Sequence, residues 1–333
     1  MKRLALLSII VFPYFACAIS GGNSAESSER YPFSVTLTNP ILCGGSIISL
    51  DPPWILTAAH CIEDFNIADE VSASVAYGSR KFSEQSYAQI KRAISHPLYV
   101  PSSIQLKAQV YATDKTDQVP YDIGLIELTL PFVETDHVNR VRIYMEEGGE
   151  NVDNKLETIG MGYTGIQEPH ANVLQYAYCN LSNAAPLHDN NFNNSIILVA
   201  SDAGLCHGDS GSPLLYKPDD SSEYSLKGVL NRILNAFDPD PENITCPLPY
   251  SSTAGFLNIF AKPSRHINWI TSVTGLSEST LTDGVAEPRK RHNFSKSQSV
   301  SSARANITKI NWLQLLFVLP LSLFHYVSGP SLF

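Results

Sequence analysis

The sequence predicts an all-β protein whose strands pair in the antiparallel sense. Short runs of β-forming residues alternate with Gly, Pro, Asn and Asp, a pattern typical of strands joined by turns. Helical periodicity is scarce, and no spacing suits the strand-helix-strand units that build a parallel sheet. Repeated short strands without that spacing favour antiparallel barrels. The runs cover residues 31–50, 71–77, 89–94, 123–128, 156–162 and 225–230.

Length, composition and charge limit the class of protein. With 333 residues the chain has room for about two compact units, and 44% hydrophobic residues are enough for a globular core. The formal net charge of -9 argues against nucleic acid as a partner, because binding to phosphates needs a basic face.

The first 18 residues have the composition of a secretory signal peptide. A basic start precedes an apolar run at residues 4–15, and Ala16 and Ala18 supply the small residues of a cleavage site. Cleavage after Ala18 would remove Cys17 and leave five cysteines in an oxidising compartment. We therefore expect a secreted glycoprotein with disulfide bonds, and the glycosylation sequons agree with this: Asn180, Asn193, Asn243, Asn293 and Asn306.

Residues 206–213, Cys-His-Gly-Asp-Ser-Gly-Ser-Pro, contain a candidate nucleophile. A serine hydroxyl attacks carbonyl groups when a base lies beside it and N–H donors point at the developing oxyanion. Gly208 allows the backbone to turn so that its own N–H and that of Ser210 face one oxygen. Asp209 would be stranded in such a turn unless a cation paired with it. Alone, the stretch would be a surface turn rich in Gly, Ser and Asp.

Two further stretches supply the groups that such a serine needs. His60 ends the run Leu-Thr-Ala-Ala-His-Cys at 56–61, which we interpret as a buried strand that delivers an imidazole to the edge of a cleft. Asp122 precedes the apolar strand 123–128, and a hydrogen bond to the second imidazole nitrogen would satisfy it. A lone His or a lone Asp before a strand is usually structural, but three such motifs together indicate a catalytic triad.

These motifs, in the order His60, Asp122, Ser210, resemble those of the trypsin- and chymotrypsin-like serine proteases. That family usually has Gly-Asp-Ser-Gly-Gly-Pro around its nucleophile, so Ser212 stands in place of the second glycine. Cys-Gly-Gly-Ser at 43–46 also resembles a strand of the family.

The resemblance covers residues 19–275 and implies a chymotrypsin-like fold. That fold has two antiparallel six-stranded barrels with the triad in the cleft between them. A short C-terminal helix, matched here by residues 266–270, closes the second barrel. Residues 99–120 are longer and more polar than a hairpin needs, so we interpret them as a surface insertion.

The resemblance also implies a serine endopeptidase that requires no metal and no organic cofactor. Ser210 would attack the scissile carbonyl, His60 would take and return the proton, and Asp122 would orient the imidazole. The N–H groups of Gly208 and Ser210 would form the oxyanion hole. The expected partners are protein or peptide substrates and protein inhibitors.

Two disulfide bonds follow from the same resemblance. Cys43 and Cys61 would close the loop that carries the histidine, and Cys206 and Cys246 would join the nucleophile loop to the far wall of the substrate pocket. Cys179 has no evident partner in the sequence. We interpret it as a buried small hydrophobe in preference to a reactive or intermolecular thiol.

The start Ile-Ser-Gly-Gly at 19–22 resembles the amino terminus of the mature family members. In that family the freed ammonium pairs with the acid before the nucleophile and orders the oxyanion loop. Here Ile19 would pair with Asp209. Because signal cleavage after Ala18 would expose Ile19, we expect the secreted enzyme to be active without a second cut.

The resemblance assigns the primary substrate pocket to Gly204, Leu205, Ile233 and Gly255. In the family an acid six residues before the nucleophile selects Arg and Lys, but this position is Gly204 here. A basic side chain would lack a counter-ion there, and the branched Ile233 would narrow the entrance. We expect cleavage after small or medium apolar residues such as Ala, Val or Leu.

The composition changes after residue 275. We expect a Ser/Thr/basic linker at 276–309 and a hydrophobic tail at 310–333. The tail is short and interrupted for a membrane span, and small residues at 301–303 followed by a polar spacer favour a GPI-attachment signal. A membrane span and a merely adhesive tail are the alternatives. The basic run 289–292 is a solvated segment or, in the sharper interpretation, a processing site.

Two other functions are compatible with parts of the sequence. A protease-fold protein that has lost activity and serves as a binding module is the runner-up, supported by Ser212 and the altered pocket. An esterase of the α/β-hydrolase type disagrees with the triad order and with the lack of parallel-sheet patterning.

Overall fold

Six strands near the amino terminus form a closed antiparallel barrel. The computed structural model describes residues 19, 22–39, 41–63, 65, 74–101, 121–145, 156–163, 170–181, 196–201, 203–217, 223–235 and 256–282. The barrel strands are β2 (Ser34–Leu37), β3 (Cys43–Ser49), β4 (Trp54–Thr57), β5 (Ser74–Tyr77), β6 (Ser86–Ser95) and β7 (Gly124–Leu128). Their order around the barrel is β2-β3-β4-β7-β6-β5.

The barrel forms because its central strands are apolar on both faces. Every residue of β4 and β7 is buried, and Ile, Leu and Trp side chains from them fill the interior. Glu127 is the buried acid of β7, and the exposed side chains of Lys91 and Arg92 on β6 pair with its carboxylate. The pairing removes the cost of an isolated buried charge.

The remaining strands build a second sheet. They are β1 (Asn23–Ser24), β8 (Arg142–Ile143), β9 (Leu156–Gly160), β10 (Gln175–Leu181), β11 (Ile196–Ser201), β12 (Pro213–Tyr216), β13 (Ser225–Asn235) and β14 (Phe256–Ala261). The order is β1-β10-β11-β14-β13-β12-β9, with an additional pairing between β9 and β10 and a parallel pairing of β8 with β13. The mostly-β architecture and the first barrel match the predicted fold class, whereas a second six-stranded barrel stays a prediction.

Two short helices follow β14. A 3-10 turn at Pro263–His266 leads into α1 (Ile267–Thr274), which ends at Gly275 in the left-handed conformation, φ 72°. This helix is the predicted C-terminal one. A second helix, α2 (Glu278–Thr282), lies in the segment that composition assigns to a linker. Leu276 and Leu281 are buried, so residues 276–282 pack on the body of the protein.

Several sequence predictions concern residues outside the described part of the chain. They are the signal peptide 1–18, most of the insertion 99–120, Cys246, Gly255, the basic run 289–292, the linker beyond residue 282, the tail 310–333 and four of the five sequons. Asn180, the fifth sequon, is exposed on β10. Among the described residues, no helix is both long enough and apolar enough to span a bilayer.

Candidate active site

The antiparallel pairing of β4 with β7 brings His60 and Asp122 together. Thr57 at the end of β4 lies opposite Gly124 at the start of β7. His60 comes three residues after Thr57, in a turn, and Asp122 comes two residues before Gly124. The barrel register therefore places both side chains at one end of the barrel, although the sequence separates them by 62 residues.

Both carboxylate oxygens of Asp122 bind His60. Oδ2 lies 2.7 Å from the ring Nδ1, and Oδ1 accepts the backbone N–H of His60 at 2.9 Å. The two contacts fix the position of the ring and leave its Nε2 as the nitrogen without a carboxylate. The His60 side chain is 22% exposed and that of Asp122 is 13% exposed, so the pair is partly accessible to solvent.

The nucleophile loop docks onto the same end of the barrel. The backbone N–H of Gly44, in β3, donates to the carbonyl oxygen of Ser210 at 2.7 Å. A Cβ at Gly211 would lie 2.4 Å from the Gly44 oxygen and 2.3 Å from Thr57 Oγ1, so the two backbones approach too closely for a side chain. Gly211 also has φ 80°, which glycine adopts readily. The approach brings Ser210 to the end of the barrel that carries His60.

Ser212, the departure from the family motif, fits into this contact. It is 1% exposed, and a Cβ at Gly44 would meet its Oγ at 2.2 Å. The space for the additional hydroxymethyl group therefore exists because residue 44 has no side chain. The backbone of Ser212 is held on both sides, since its N–H donates to Asp209 and its carbonyl accepts from Leu230.

Two N–H groups of the loop have no acceptor among the described residues. The N–H groups of Asp209, Gly211 and Ser212 donate to the carbonyls of Cys206, Leu230 and Asp209. Those of Gly208 and Ser210 make no such bond within the described part of the chain. Gly208 has φ 91°, a conformation that glycine adopts without strain. These are the two donors that the sequence assigns to an oxyanion hole.

Asp209 is fully buried behind the loop. Its Oδ1 accepts the N–H of Gly162 at 2.8 Å, and its Oδ2 accepts the N–H of Cys206 at 2.9 Å. Burial raises the pKa of this carboxyl to about 7, against the lowering effect of the two N–H donors. Among the described residues no Lys, Arg or His forms an ion pair with it.

Ile19 is also buried, at 0% exposure, in a cluster that includes Ala203 and Leu205. Those two residues immediately precede the loop that holds Asp209. Both members of the predicted activation pair are thus buried. The described part of the chain shows no contact between their side chains.

The disulfide bond Cys43–Cys61 is confirmed, with its sulfurs 2.05 Å apart. It joins the start of β3 to the turn of His60. Cys43, Cys61 and His60 also have potential metal-ligand atoms within 4.8 Å of one another, but the two sulfurs are bonded together and are not thiolates.

Cys206 is disulfide-bonded, and its predicted partner Cys246 lies outside the described residues. Cys179 is buried at 3% exposure, as a small hydrophobe would be.

Comparison with known proteins agrees with this geometry. The family model described as Trypsin matches residues 19–233. The chain belongs to the trypsin family. Members of the trypsin family act on protein or peptide substrates, are bound by protein inhibitors and are typically extracellular.

Several curated relatives in the trypsin family are similar over most of their length. A trypsin of Simulium vittatum is 31% identical over 213 residues, which are 59% of this chain and 77% of the relative. A collagenase of Hypoderma lineatum is 28% identical and covers 71% of this chain and 77% of the relative. The clotting factor G beta subunit of Tachypleus tridentatus is 26% identical and covers 79% of this chain and 81% of the relative.

The described pocket residues are apolar. Gly204 and Leu205 are buried at the start of the nucleophile segment, and Leu205 is 1% exposed. Ile233, on β13, is partly buried and packs against the same cluster as Leu205. Two of the four predicted pocket positions, Leu205 and Ile233, therefore belong to one apolar cluster, whereas Gly255 lies outside the described residues.

Two charged residues near His60 were not predicted as part of the site. Burial alone would lower the pKa of the His60 imidazole, but the charge and the hydrogen bond of Asp122 raise it above the ordinary value. The charge of Glu63 adds to this increase, and the charge of Arg232 opposes it. Glu63 lies three residues after His60 and accepts a hydrogen bond from Tyr99 Oη at 2.6 Å. Arg232 is distant in sequence, so only the fold reveals it.

We expect Asp122→Asn to lower the pKa of His60, because the variant removes the charge that contributes most to raising it. Glu63→Gln should lower the same pKa by less, since Glu63 acts through its charge alone. NMR titration of the His60 ring in a Ser210→Ala background measures both changes. Lys81→Gln, which removes one arm of an exposed ion pair with Glu84, is the control. An unchanged His60 pKa in Asp122→Asn would contradict the described contact.

Proposed function

We propose that this protein is a secreted serine endopeptidase with a triad of Ser210, His60 and Asp122. The observation that carries the proposal is the position of the His60 imidazole. Two contacts from Asp122 hold His60 in place, and the loop of Ser210 docks on the same end of the barrel. Membership of the trypsin family supports the protease activity.

In the proposed mechanism Ser210 Oγ attacks the scissile carbonyl while Nε2 of His60 takes its proton. Asp122 stabilises the imidazolium that forms and keeps the tautomer whose Nε2 can accept a proton. The ring then returns the proton to the leaving amine, and water hydrolyses the acyl-enzyme by the same steps. The Ser210 hydroxyl has no hydrogen bond to the described residues, and such catalytic bonds commonly tighten when substrate binds.

The N–H groups of Gly208 and Ser210 would stabilise the oxyanion. Each lacks an acceptor among the described residues, whereas their neighbours in the loop are bonded. Two donors aimed at one developing charge contribute several kcal/mol, because loss of one such donor costs about 3–4 kcal/mol in related sites. These two unused donors support the assignment of an oxyanion hole to the loop.

The second sheet supports a two-barrel interpretation of the fold. β9 pairs with β12 on one side and with β10 on the other. From β10 the pairing continues through β11, β14 and β13 to β12, so the pairings return to β9. We propose that these six strands form the second barrel. We also propose signal cleavage after Ala18 and surface attachment through residues 310–333.

Replacement of the nucleophile tests the proposed function. Ser210→Ala should abolish hydrolysis and leave the fold intact, since the residue is partly exposed and its hydroxyl is not bonded to described residues. Asp122→Asn should reduce kcat about ten-thousand-fold, because it would stabilise the wrong imidazole tautomer. The measurement is covalent labelling by a fluorophosphonate together with peptide hydrolysis, with the exposed Ser86→Ala as control. A folded wild-type protein that takes no label would be the inactive binding module instead.

A second prediction concerns the charge on Asp209. In the extended form, residue 18 is still attached to Ile19 and no ammonium is available to Asp209. Because burial raises the pKa of Asp209 from 3.8 to about 7, the stability that this carboxyl contributes to the folded state decreases as the pH rises from 3.8 towards 7. An ammonium at Ile19 would reverse this by pairing with the carboxylate. The form that starts at Ile19 should therefore gain stability over the extended form between pH 5 and pH 7, by about 2 kcal/mol, since the carboxyl is still half protonated at pH 7.

Urea unfolding of both forms at the two pH values measures this gain, and Asp209→Asn should remove it. An equal difference between the forms at both pH values would contradict the pairing. Amino-terminal sequencing of active secreted protein provides a second check, and a start at any residue other than Ile19 would show that another terminus activates the enzyme.

The third prediction concerns the residue before the scissile bond. The described pocket residues Gly204, Leu205 and Ile233 carry no charge, so a basic side chain would be desolvated without a counter-ion. Small or medium apolar residues such as Ala, Val or Leu should be preferred. Each methylene that fits or clashes should change the free energy of the transition state by about 1–3 kcal/mol, and kcat/KM accordingly. Profiling with a peptide library measures the preference. A dominant preference for Arg or Lys would overturn the pocket assignment.

A further inference from the structure

Beyond Val229, one edge of β13 beside the candidate nucleophile pairs with no strand among the described residues, and we call it the open edge. β12 pairs with β13 only as far as Pro213 opposite Val229. The next residue, Leu230, is bonded to the loop, since its N–H donates to Ser212 and its carbonyl accepts from Gly211. β13 then continues to Asn235 with β14 as its described partner on the other side. An extended peptide can add to such an edge by backbone hydrogen bonds.

Arg232 lies on this open segment. It follows Leu230 by two residues, at a register shift between β13 and β14, and it precedes the pocket residue Ile233. The side chain is half-buried, and its charge acts on the His60 ring across the site. Arg232 therefore lies close enough to His60 for its charge to act on the ring, and it is next to Ile233 in the strand.

The charge of Arg232 is not neutralised within the described part of the chain. Arg30, Lys81, Lys91 and Arg92 all pair there with acidic side chains, but Arg232 forms no ion pair with a described residue. Glu63, the acid on the other side of His60, accepts a hydrogen bond from Tyr99 instead. The whole chain has 32 acidic and 23 basic residues, so this positive charge lies in a protein of net negative charge.

We propose that Arg232 gives the enzyme a preference for substrates with an acidic side chain two to four residues before the scissile bond. This rests on the proposed function. Because Ile233 is assigned to the pocket for the residue before that bond, the preceding substrate residues would pass Arg232 along the open edge. Residues of an extended peptide are about 3.3 Å apart and alternate between faces, so one of the three positions should reach the guanidinium. A carboxylate can accept two parallel N–H bonds from an arginine.

The test compares peptides that differ only by Glu, Gln or Lys at the second, third or fourth position before a cleaved Leu. Wild-type enzyme should prefer Glu at one position by about two- to fivefold in kcat/KM, the range of a partly exposed ion pair. Arg232→Gln should bring the ratio close to one, and Arg232→Glu should favour Lys over Glu at that position. The preference should decrease at high salt. Lys81→Gln, which removes one positive charge outside β13, should keep the wild-type ratio.

Two measurements separate this inference from the proposed function. Binding of the Glu and Gln peptides to Ser210→Ala measures the binding part of the preference without turnover, so the inference is testable even if no peptide is cleaved. NMR titration should show a higher His60 pKa in Arg232→Gln, which a merely structural role would not produce. Fluorophosphonate labelling and cleavage without any Glu preference would overturn the role of Arg232 alone. A ratio that persists in Arg232→Gln would also overturn it.

Discussion

The contact between β3 and the nucleophile loop is the constraint on which the site depends. His60 and Asp122 belong to the first barrel, whereas Ser210 precedes a strand of the second sheet. The hydrogen bond from Gly44 to Ser210 joins the two halves at 2.7 Å. A Cβ at residue 211 would overlap the Gly44 backbone and one at residue 44 would overlap Ser212, so the requirement for glycine at both positions is steric. A side chain at either would separate the nucleophile from its base.

The same loop contains a buried acid, Asp209, whose hydrogen-bond donors do not fully offset the effect of burial on its pKa. Two N–H donors lower the pKa of Asp209, but burial outweighs them. Gly160 and Gly162 provide the space around its carboxylate, since a Cβ at either would lie less than 3 Å from Asp209. The two glycines therefore make room for a carboxylate that accepts only N–H donors within the described part of the chain. That arrangement suits a loop whose order is decided by the arrival of an ammonium group.

Much of the fold and of the site could be predicted from local sequence. The apolar run at 123–128 corresponds closely to β7, and the family resemblance implied the Cys43–Cys61 disulfide bond that the structure contains. Other features depend on contacts between distant segments. Leu276 and Leu281 pack on the body although their surroundings are rich in Ser and Thr, and composition alone therefore assigned them to a linker. Arg232 likewise became part of the site only through the path of β13.

The charges around His60 also connect substrate choice with catalysis. Glu63 and Arg232 act on the ring with opposite signs, so the pKa of the base reflects their balance as well as Asp122. An acidic substrate side chain bound at Arg232 would neutralise the charge that lowers this pKa. The imidazolium formed during proton transfer would then be more stable, which lowers the barrier to attack by Ser210. A substrate with the preferred charge would thus improve the base as well as the binding, and the preference would appear in kcat as well as in KM.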